Sequence, residues 1–394
     1  MRRIGIFTGN RAEYGLLKPI IKAIEEHPGL DYFLIVSGAH VDSDFGKTIQ
    51  EIELDGFTIS AIASCEKFPD GKSFTALSIA STINAMSYIL ESNIIDVMLV
   101  YADRFEGFAA LVAATQMNIP TAHVEGGDLT EGGALDDSIR HAMTKLAHLH
   151  FATNQDSCNR ILSLGEEDWR VFDVGFPAID LILEGDFATD EELFRELSLD
   201  TQKPIVLFTQ HSISTEPDKS RDQLLPSLKV LRKLALDGIQ IVLTYPNNDS
   251  GSHAILDLIK EIKAEEIQNF RIINSLGRYR YHGILSLALN AERRVVCVGN
   301  SSSGIKETPA FLCPTVNIGS RQLGRLRGEN VIDVDYSENA IEEAIKLALY
   351  DDEFRSKVRL TSNPYFKGGA SKLIAETLAK IELGDKILRK RMTN

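Results

Sequence analysis

The chain has little of what disulfide-rich, membrane-spanning or nucleic-acid-binding proteins need. Its 394 residues include only four cysteines, which are widely spaced and form no CxxC pair, so we expect neither a disulfide framework nor a zinc site. No apolar run reaches the about 18 residues that span a bilayer, and the N-terminal MRRIGIFTGN has no signal-peptide pattern. A formal charge of −14 argues against an extended nucleic-acid footprint. We therefore expect a cytoplasmic protein without membrane or nucleic-acid partners.

Two common nucleotide-binding signatures, GxGxxG and the Walker P-loop, are also missing. Short apolar runs nevertheless alternate with helical patterns along both halves of the chain, which is typical of doubly wound parallel sheets. The sequence predicts an α/β protein of two Rossmann-like domains that face a central cleft. We place the first domain at residues 1–177 and the second, nucleotide-binding domain at residues 178–370. The second domain is predicted to begin with an acidic helical connector over residues 178–200, followed by a strand at Ile205–Thr209. Residues 371–394 form a last helix that can pack back on the first domain.

Acidic residues follow the apolar runs of the first half. Asp103 and Glu125 come after two predicted strands, Val97–Tyr101 and Thr121–Val124. Asp136 opens a helix after a glycine-rich loop, and this helix is predicted to end near His150. Carboxyl ends of parallel strands face the ligand crevice, so we expect these three acids to meet at one place. For any one of them, a strand-end or helix cap is the alternative explanation. The four-residue spacing from Asp136 to Arg140 predicts an ion pair on that helix.

The second half has a polar strand end that suits phosphate and ribose. The serine run Ser301–Ser303 and Gly304 follow a β-branched strand, where hydroxyl and backbone N–H groups can hold an anion. Glu307 lies one turn further and can accept hydrogen bonds from both ribose hydroxyls. In the first half, Arg11 stands between a strand and a helix and can clamp a diphosphate, a surface salt bridge being the alternative. This division of groups favours a nucleotide-sugar enzyme over a kinase or a dehydrogenase.

Six motifs together carry a family resemblance: TGNRAEYG, ADRFE, HVEGGD, DDSIRH, GNSSSGIKE and NIGSRQLGR. From Arg3 to about Tyr365 the chain resembles the hydrolysing UDP-N-acetylglucosamine 2-epimerases. The resemblance implies a fold like that of B-type glycosyltransferases and conversion of UDP-N-acetylglucosamine to free N-acetylmannosamine and UDP. It further implies a homodimer or homotetramer that binds a nucleotide sugar and uses no cofactor or metal.

The resemblance also implies roles for individual residues. Asp103, Glu125 and Asp136 carry the proton transfers at sugar C2, in an order that the sequence leaves open, although Glu125 is favoured as the proton carrier. His211 lies near the leaving diphosphate. The residues expected to bind the nucleotide sugar are Arg11, Arg104, Asn247, Ser301, Ser302, Gly304, Glu307 and Arg321.

Three other activities remain open at this point. A non-hydrolysing 2-epimerase usually has alanine after HVE and a Glu-Glu pair where this chain has Gly126 and two aspartates, which favours the hydrolysing branch. The loop Leu129–Leu135 resembles the legionaminic-acid branch, whose substrate is UDP- or GDP-linked N,N'-diacetylbacillosamine. A glycosyltransferase of the same fold would pass the sugar to an acceptor, but transfer at C1 does not require three acids. A protein that only binds its ligand would require none of the three acids.

Overall fold

Two parallel sheets organise the chain. The computed structural model describes residues 1–41, 48–66, 68, 73–130, 135–213, 215–246 and 251–393. The chain divides into two compact units, of which the first comprises Met1–Asp128, Leu135–Leu181 and Tyr365–Asn394. The second comprises Ile182–Pro364 together with the short stretch that starts at Leu129. The sequence-based boundaries were residues 177 and 370.

The first unit contains a seven-stranded sheet in the order β3-β2-β1-β4-β5-β6-β7, in which every pair is parallel. Its strands are β1 (Arg2–Thr8), β2 (Leu30–Ser37), β3 (Ile59–Ala63), β4 (Val97–Tyr101), β5 (Thr121–Val124), β6 (Leu149–Ala152) and β7 (Val171–Asp173). All residues of β4 and β5 are buried, because helices cover both faces of such a sheet.

The helices of the first unit fall between these strands and at the C-terminus. They are α1 (Arg11–Glu25), α2 (Ile49–Leu54), α3 (Phe74–Ser92), α4 (Phe105–Gln116), α5 (Leu135–Leu146), α6 (Gln155–Ser163), α7 (Ala178–Leu183), α15 (Ala370–Lys380) and α16 (Asp385–Leu388). The α1 helix begins after Asn10, whose side chain accepts a hydrogen bond from Glu13 N. Ile374 and Leu378 of the terminal segment belong to the same buried core as Leu17.

The second unit repeats the architecture with six parallel strands in the order β10-β9-β8-β11-β12-β13. Its strands are β8 (Ile205–Thr209), β9 (Gln240–Thr244), β10 (Phe270–Ile273), β11 (Val295–Gly299), β12 (Thr315–Ile318) and β13 (Val331–Val334). Its helices are α8 (Asp190–Leu197), α9 (Ser220–Leu236), α10 (Ser252–Lys263), α11 (Gly277–Ser286), α12 (Ser303–Lys306), α13 (Glu338–Tyr350) and α14 (Asp352–Arg359). Among the described residues, no helix combines the length and apolarity needed to cross a membrane.

The structure confirms the predicted doubly wound α/β class and corrects three helices. The helix after Asp136 was expected to reach about His150, but it ends at Leu146 because Leu149–Ala152 joins the sheet as β6. The predicted connector 178–200 is two helices, and the second starts at a capping box formed by Thr189 and Glu192. The predicted last helix breaks after Lys380, and Gly384 with φ 149° precedes α16.

Candidate active site

Asp103 and Glu125 lie at the carboxyl ends of neighbouring strands in the first unit. The β4–β5 pairing continues one residue further, since Ala102 N donates to Val124 O at 2.9 Å. Glu125 has a φ of +65°, a left-handed conformation that a glutamate adopts at a cost of about 1–2 kcal/mol. Its side chain is buried, while that of Asp103 is 19% exposed. Backbone strain of this kind, held in place by a rigid sheet, is characteristic of functional sites.

Arg140 links Asp103 to the α5 helix. Its Nη2 pairs with Asp103 Oδ2, and its Nη1 donates to Asp137 Oδ1 at 3.0 Å. The guanidinium is only 2% exposed, so both charge pairs lie in a poorly solvated environment. The spacing argument paired Arg140 with Asp136, whereas the structure shows it with Asp137, three residues away, and with Asp103. Asp136 itself is exposed in the first turn of α5.

His123 supports the backbone beneath these acids. Its Nε2 lies 2.6 Å from Ala102 O, and its Nδ1 lies 3.3 Å from Thr144 Oγ1 on α5. Burial lowers the pKa of His123 to about 3, so the ring is neutral and its Nε2–H donates to the carbonyl. The histidine thus ties β5 to the segment that carries Asp103 and to the α5 helix.

The two glycines after Glu125 lie where side chains do not fit. A Cβ on Gly126 would lie 2.9 Å from Thr144 Oγ1 and 3.0 Å from His123 Nδ1. Gly127 has a φ of +73°, and its Cβ would lie 2.4 Å from Ser157 O. The packing of α5 and α6 against this loop therefore depends on both glycines, and the local structure excludes the alanine typical of the non-hydrolysing pattern unless Thr144 or His123 shifts.

Two more carboxyl groups, absent from the sequence-based site, lie at the end of β1. Glu13 Oε2 accepts a hydrogen bond from Gly9 N at 2.6 Å, and Arg104 Nη2 donates to Glu106 Oε1 at 3.4 Å. Burial raises the pKa of Glu13 to about 8, and the nearby Glu106 charge adds to the increase. A neutral Glu13 avoids a second buried negative charge and fixes the turn that leads into α1.

In the second unit, Asn300 joins the ends of two strands around His211. The Asn300 side chain accepts from His211 N at 2.7 Å and donates to His211 O at 2.9 Å. Gly299 has a φ of +127°, and a Cβ there would come within 1.9 Å of Thr209 O. Burial, together with the charge of Arg321, lowers the pKa of His211 to about 3. The neutral imidazole keeps one N–H for hydrogen bonding.

Glu307 is held by two donors at the same oxygen. His282 Nε2 lies 2.8 Å from Glu307 Oε2, and Ser303 Oγ donates to that oxygen at 2.9 Å. Burial alone would raise the pKa of Glu307, but the hydrogen bonds from His282 and Ser303 and the nearby Lys306 charge hold it below its usual value. Glu307 is therefore a carboxylate acceptor with a fixed orientation.

The structure places the predicted residues at strand ends within each unit. The residues that follow β8, β11 and β12 in the second unit are His211, Ser301, Ser302, Gly304, Glu307 and Arg321. Arg104 is about half exposed at the start of α4. Asn247 lies outside the described residues, as do residues 131–134 of the loop before α5, and the side chain of Arg11 is not described.

The sequence did not predict the contacts of three further residues that shape these sites. Arg140 belongs to the DDSIRH motif, but its partner Asp103 lies 37 residues earlier, beyond any helical spacing rule. Asn300 stands inside the GNSSSG motif, and its position before the serines was the available signal. Nothing in the local sequence pointed to His282.

The chain thus has two doubly wound units. One has acids at the carboxyl ends of its strands, and the other has a serine-rich strand end followed by a glutamate; such strand ends are where doubly wound sheets bind ligands. The family model described as UDP-N-acetylglucosamine 2-epimerase matches residues 22–379. The chain belongs to this family, which confirms the family prediction.

Relatives with different named substrates resemble the chain over nearly its whole length. A hydrolysing UDP-N,N'-diacetylbacillosamine 2-epimerase of Legionella pneumophila is 34% identical over 99% of both chains. A UDP-N-acetylglucosamine 2-epimerase of Neisseria meningitidis serogroup B is 30% identical and covers 97% of this chain and 95% of its own. The solved structure of a Neisseria meningitidis UDP-GlcNAc 2-epimerase bound to UDP-GlcNAc has a TM-score of 0.81 at 22% identity, with coverage of 97% and 100%. That structure shows the shared fold.

Proposed function

We propose that the protein is a hydrolysing UDP-sugar 2-epimerase that converts UDP-N-acetylglucosamine and water to N-acetylmannosamine and UDP, for sialic-acid-type sugar synthesis. The observation that carries the proposal is the cluster at the ends of β4 and β5, where Asp103 and Glu125 follow adjacent strands and Arg140 ties Asp103 to α5. We further propose that it works in the cytoplasm as a homodimer or homotetramer without a cofactor.

The chemistry explains why several acids are needed. The proton on sugar C2 lies beside an acetamide and is weakly acidic, so its removal must accompany departure of the diphosphate from C1. A carboxylate takes the C2 proton, the C1–O bond breaks, and UDP leaves with the bonding electrons to give a 2-acetamidoglycal. Water then adds its hydroxyl to C1, and a proton returns to C2 on the opposite face. Carboxylates stabilise the oxocarbenium-like charge, and two faces require two proton-transfer groups.

The contacts in the first unit support a different role for Asp103 than for the other two acids. Asp103 is paired with the buried Arg140 guanidinium, which suits a permanent carboxylate that stabilises positive charge at C1. Glu125 and Asp136 then exchange protons with C2: one removes the proton from one face of the sugar, and the other returns a proton to the opposite face. Asp136 is exposed and can exchange its proton with solvent.

The nucleotide is assigned to the arginines and to the second unit. Arg11, Arg104, Ser301, Ser302 and Gly304 neutralise and hold the diphosphate, together with Arg321 and Asn247. His211 donates an imidazole N–H to the leaving group as charge develops on it, and Glu307 accepts from the ribose hydroxyls.

Gly126 supports hydrolysis over reversible epimerisation of the bound nucleotide sugar. The space that an alanine side chain would need is filled by Thr144 and His123. This packing keeps α5 close to the strand end that carries Glu125.

A second candidate substrate is UDP- or GDP-linked N,N'-diacetylbacillosamine. The 34% identity to the Legionella pneumophila enzyme over 99% of both chains favours it, as does the long loop that begins at Leu129. The reaction and the acids would be the same, and only the sugar substituents and the nucleotide base would differ.

Turnover of the purified protein with all three nucleotide sugars tests the proposal. We expect free 2-epimerised sugar and nucleoside diphosphate in equal amounts, without any acceptor present. N-acetylmannosamine from UDP-N-acetylglucosamine supports the main proposal, and turnover of a bacillosamine substrate alone supports the second candidate. A UDP-linked epimer with no free sugar would instead indicate a non-hydrolysing enzyme, and no turnover without an acceptor would favour a glycosyltransferase.

A further inference from the structure

His282 is a buried polar residue of the second unit that contacts Glu307. Its side chain is 3% exposed and its ring packs against Phe311 with centroids 5.2 Å apart. Its Nδ1 is buried and has no hydrogen-bond partner among the described residues. Among the described residues, the ring makes one hydrogen bond, from Nε2 to Glu307 Oε2. An apolar residue would avoid the unmet Nδ1, so the contact with Glu307 is the feature that accounts for a histidine here.

Glu307 needs an external group to fix its carboxylate. The terminal torsion of a glutamate is broad, so the carboxylate plane is not set by the side chain itself. Here Oε2 receives donors from both His282 and Ser303, which come from α11 and α12. Within the described part of the chain, Oε1 makes no hydrogen bond, and the side chain is 14% exposed. One oxygen is therefore anchored and the other is available to a ligand.

We propose that His282 is a positioning residue that orients Glu307 so that its free oxygen accepts from the ribose hydroxyls of the nucleotide. This inference rests on the ribose role assigned to Glu307 in the proposed function. His282 does not touch the ribose. The His282 Nε2–H is hydrogen-bonded to Glu307 Oε2, so the Glu307 carboxylate is already oriented before the ribose binds. Binding then costs less conformational freedom of the Glu307 side chain.

The ribose hydroxyls themselves provide the test. Affinities of UDP, 2'-deoxy-UDP and 3'-deoxy-UDP for the full-length protein are measured by calorimetry. We expect the wild type to bind UDP about 10-fold to 100-fold more tightly than the deoxy nucleotides, because a hydrogen bond to a charged acceptor contributes about that much to affinity. Glu307→Gln and His282→Leu should each lower this preference about tenfold, and the double variant should lose little more, because both act through one carboxylate. His282→Gln, which keeps a donor at a similar reach, should retain most of the preference.

A purely structural role predicts a different pattern. If His282 only stabilised the fold, His282→Leu would lower the melting temperature but leave the ribose discrimination of the folded protein unchanged, whereas the positioning role requires this discrimination to fall in the folded protein. In turnover, KM should rise while kcat stays within about twofold of the wild-type value, since the ribose lies away from the reacting carbons. His282→Asn, whose amide is too short to reach Glu307, provides a second loss variant if the leucine variant does not fold.

The outcomes separate this inference from the proposed function. If the wild type and Glu307→Gln behave as expected but His282→Leu and His282→Asn keep the wild-type preference, His282 does not position Glu307. If the wild type binds UDP and the deoxy nucleotides equally, the ribose role of Glu307 is wrong, and the inference about His282 is overturned with it.

Discussion

Replacing Arg140 with methionine should disable the site far more than it disturbs other parts of the fold. The substitution keeps the volume of the side chain but leaves Asp103 and Asp137 without the cation that pairs with both. Removing one partner of a buried ion pair costs about 3–5 kcal/mol. We expect the lower end of that range, because Asp103 is 19% exposed and regains water. Loss of the tether also lets Asp103 move, and a misplacement of about 1 Å lowers kcat/KM about 100-fold.

Arg170→Met is the matched control for this prediction. Arg170 is as buried as Arg140 and belongs to the same unit, but it donates to His148 O and Ile387 O, away from the acids. Urea unfolding gives the stability of each variant, and turnover is expressed per folded protein. Both variants should lose stability, and only Arg140→Met should lose turnover. Wild-type turnover of folded Arg140→Met, or an equal loss in both variants, would refute the argument that Arg140 positions Asp103.

Three further predictions concern the same unit. Gly126→Ala should destabilise the protein by about 1–3 kcal/mol, because the added Cβ contacts Thr144. Gly15→Ala is the control and should be neutral or stabilising, since nothing lies within 4 Å of the added Cβ. Equal urea midpoints for the two variants would contradict the predicted contact. Burial lowers the pKa of His123 to about 3, so between pH 6 and 4 the unfolded chain binds one more proton at this residue than the folded chain does. The free energy of unfolding therefore falls as pH falls, by about 1.4 kcal/mol per pH unit. His123→Gln should reduce this pH slope by about that amount, and an unchanged slope would show that the histidine is not buried in its neutral form. Lys390 Nζ donates to Lys145 O at 2.7 Å and to Ala147 O at 2.6 Å. Lys390→Met should therefore destabilise the end of α5 by about 1–3 kcal/mol and speed amide exchange there. The Lys380 side chain is 75% exposed, so the control Lys380→Met should change neither stability nor amide exchange.

The architecture was predictable because parallel strands leave a strong local signal. Buried strands such as Val97–Tyr101 and Ile205–Thr209 are short, apolar and β-branched, and they fall between segments of helical period. Their bounds in the structure equal the predicted ones. The positions of Asp103 and Glu125 at the strand ends followed from the same signal and from the rule that these ends face the crevice.

Helix ends and long-range partners were not predictable in this way. The stretch Leu149–Ala152 has helical neighbours, and its pairing with β5 and β7 makes it a strand, so the sequence extended α5 too far. The Arg140–Asp103 pair and the His282–Glu307 pair join residues 37 and 25 positions apart. Sequence spacing finds partners one helical turn away, whereas these contacts depend on how the helices pack on the sheets.

The measurement that tests the central claim most directly is turnover of UDP-N-acetylglucosamine in D2O, followed by proton NMR, with a parallel reaction in ¹⁸O-labelled water analysed by mass spectrometry. If C2 is deprotonated as UDP leaves and water then adds to the glycal, the free N-acetylmannosamine carries deuterium at C2 and ¹⁸O at C1, and UDP carries no label. The UDP- and GDP-linked bacillosamine substrates should give the same labelling if they are the ones turned over. A free sugar that retains hydrogen at C2, or a UDP that carries ¹⁸O, would contradict the elimination and hydration assigned to Glu125, Asp136 and Asp103.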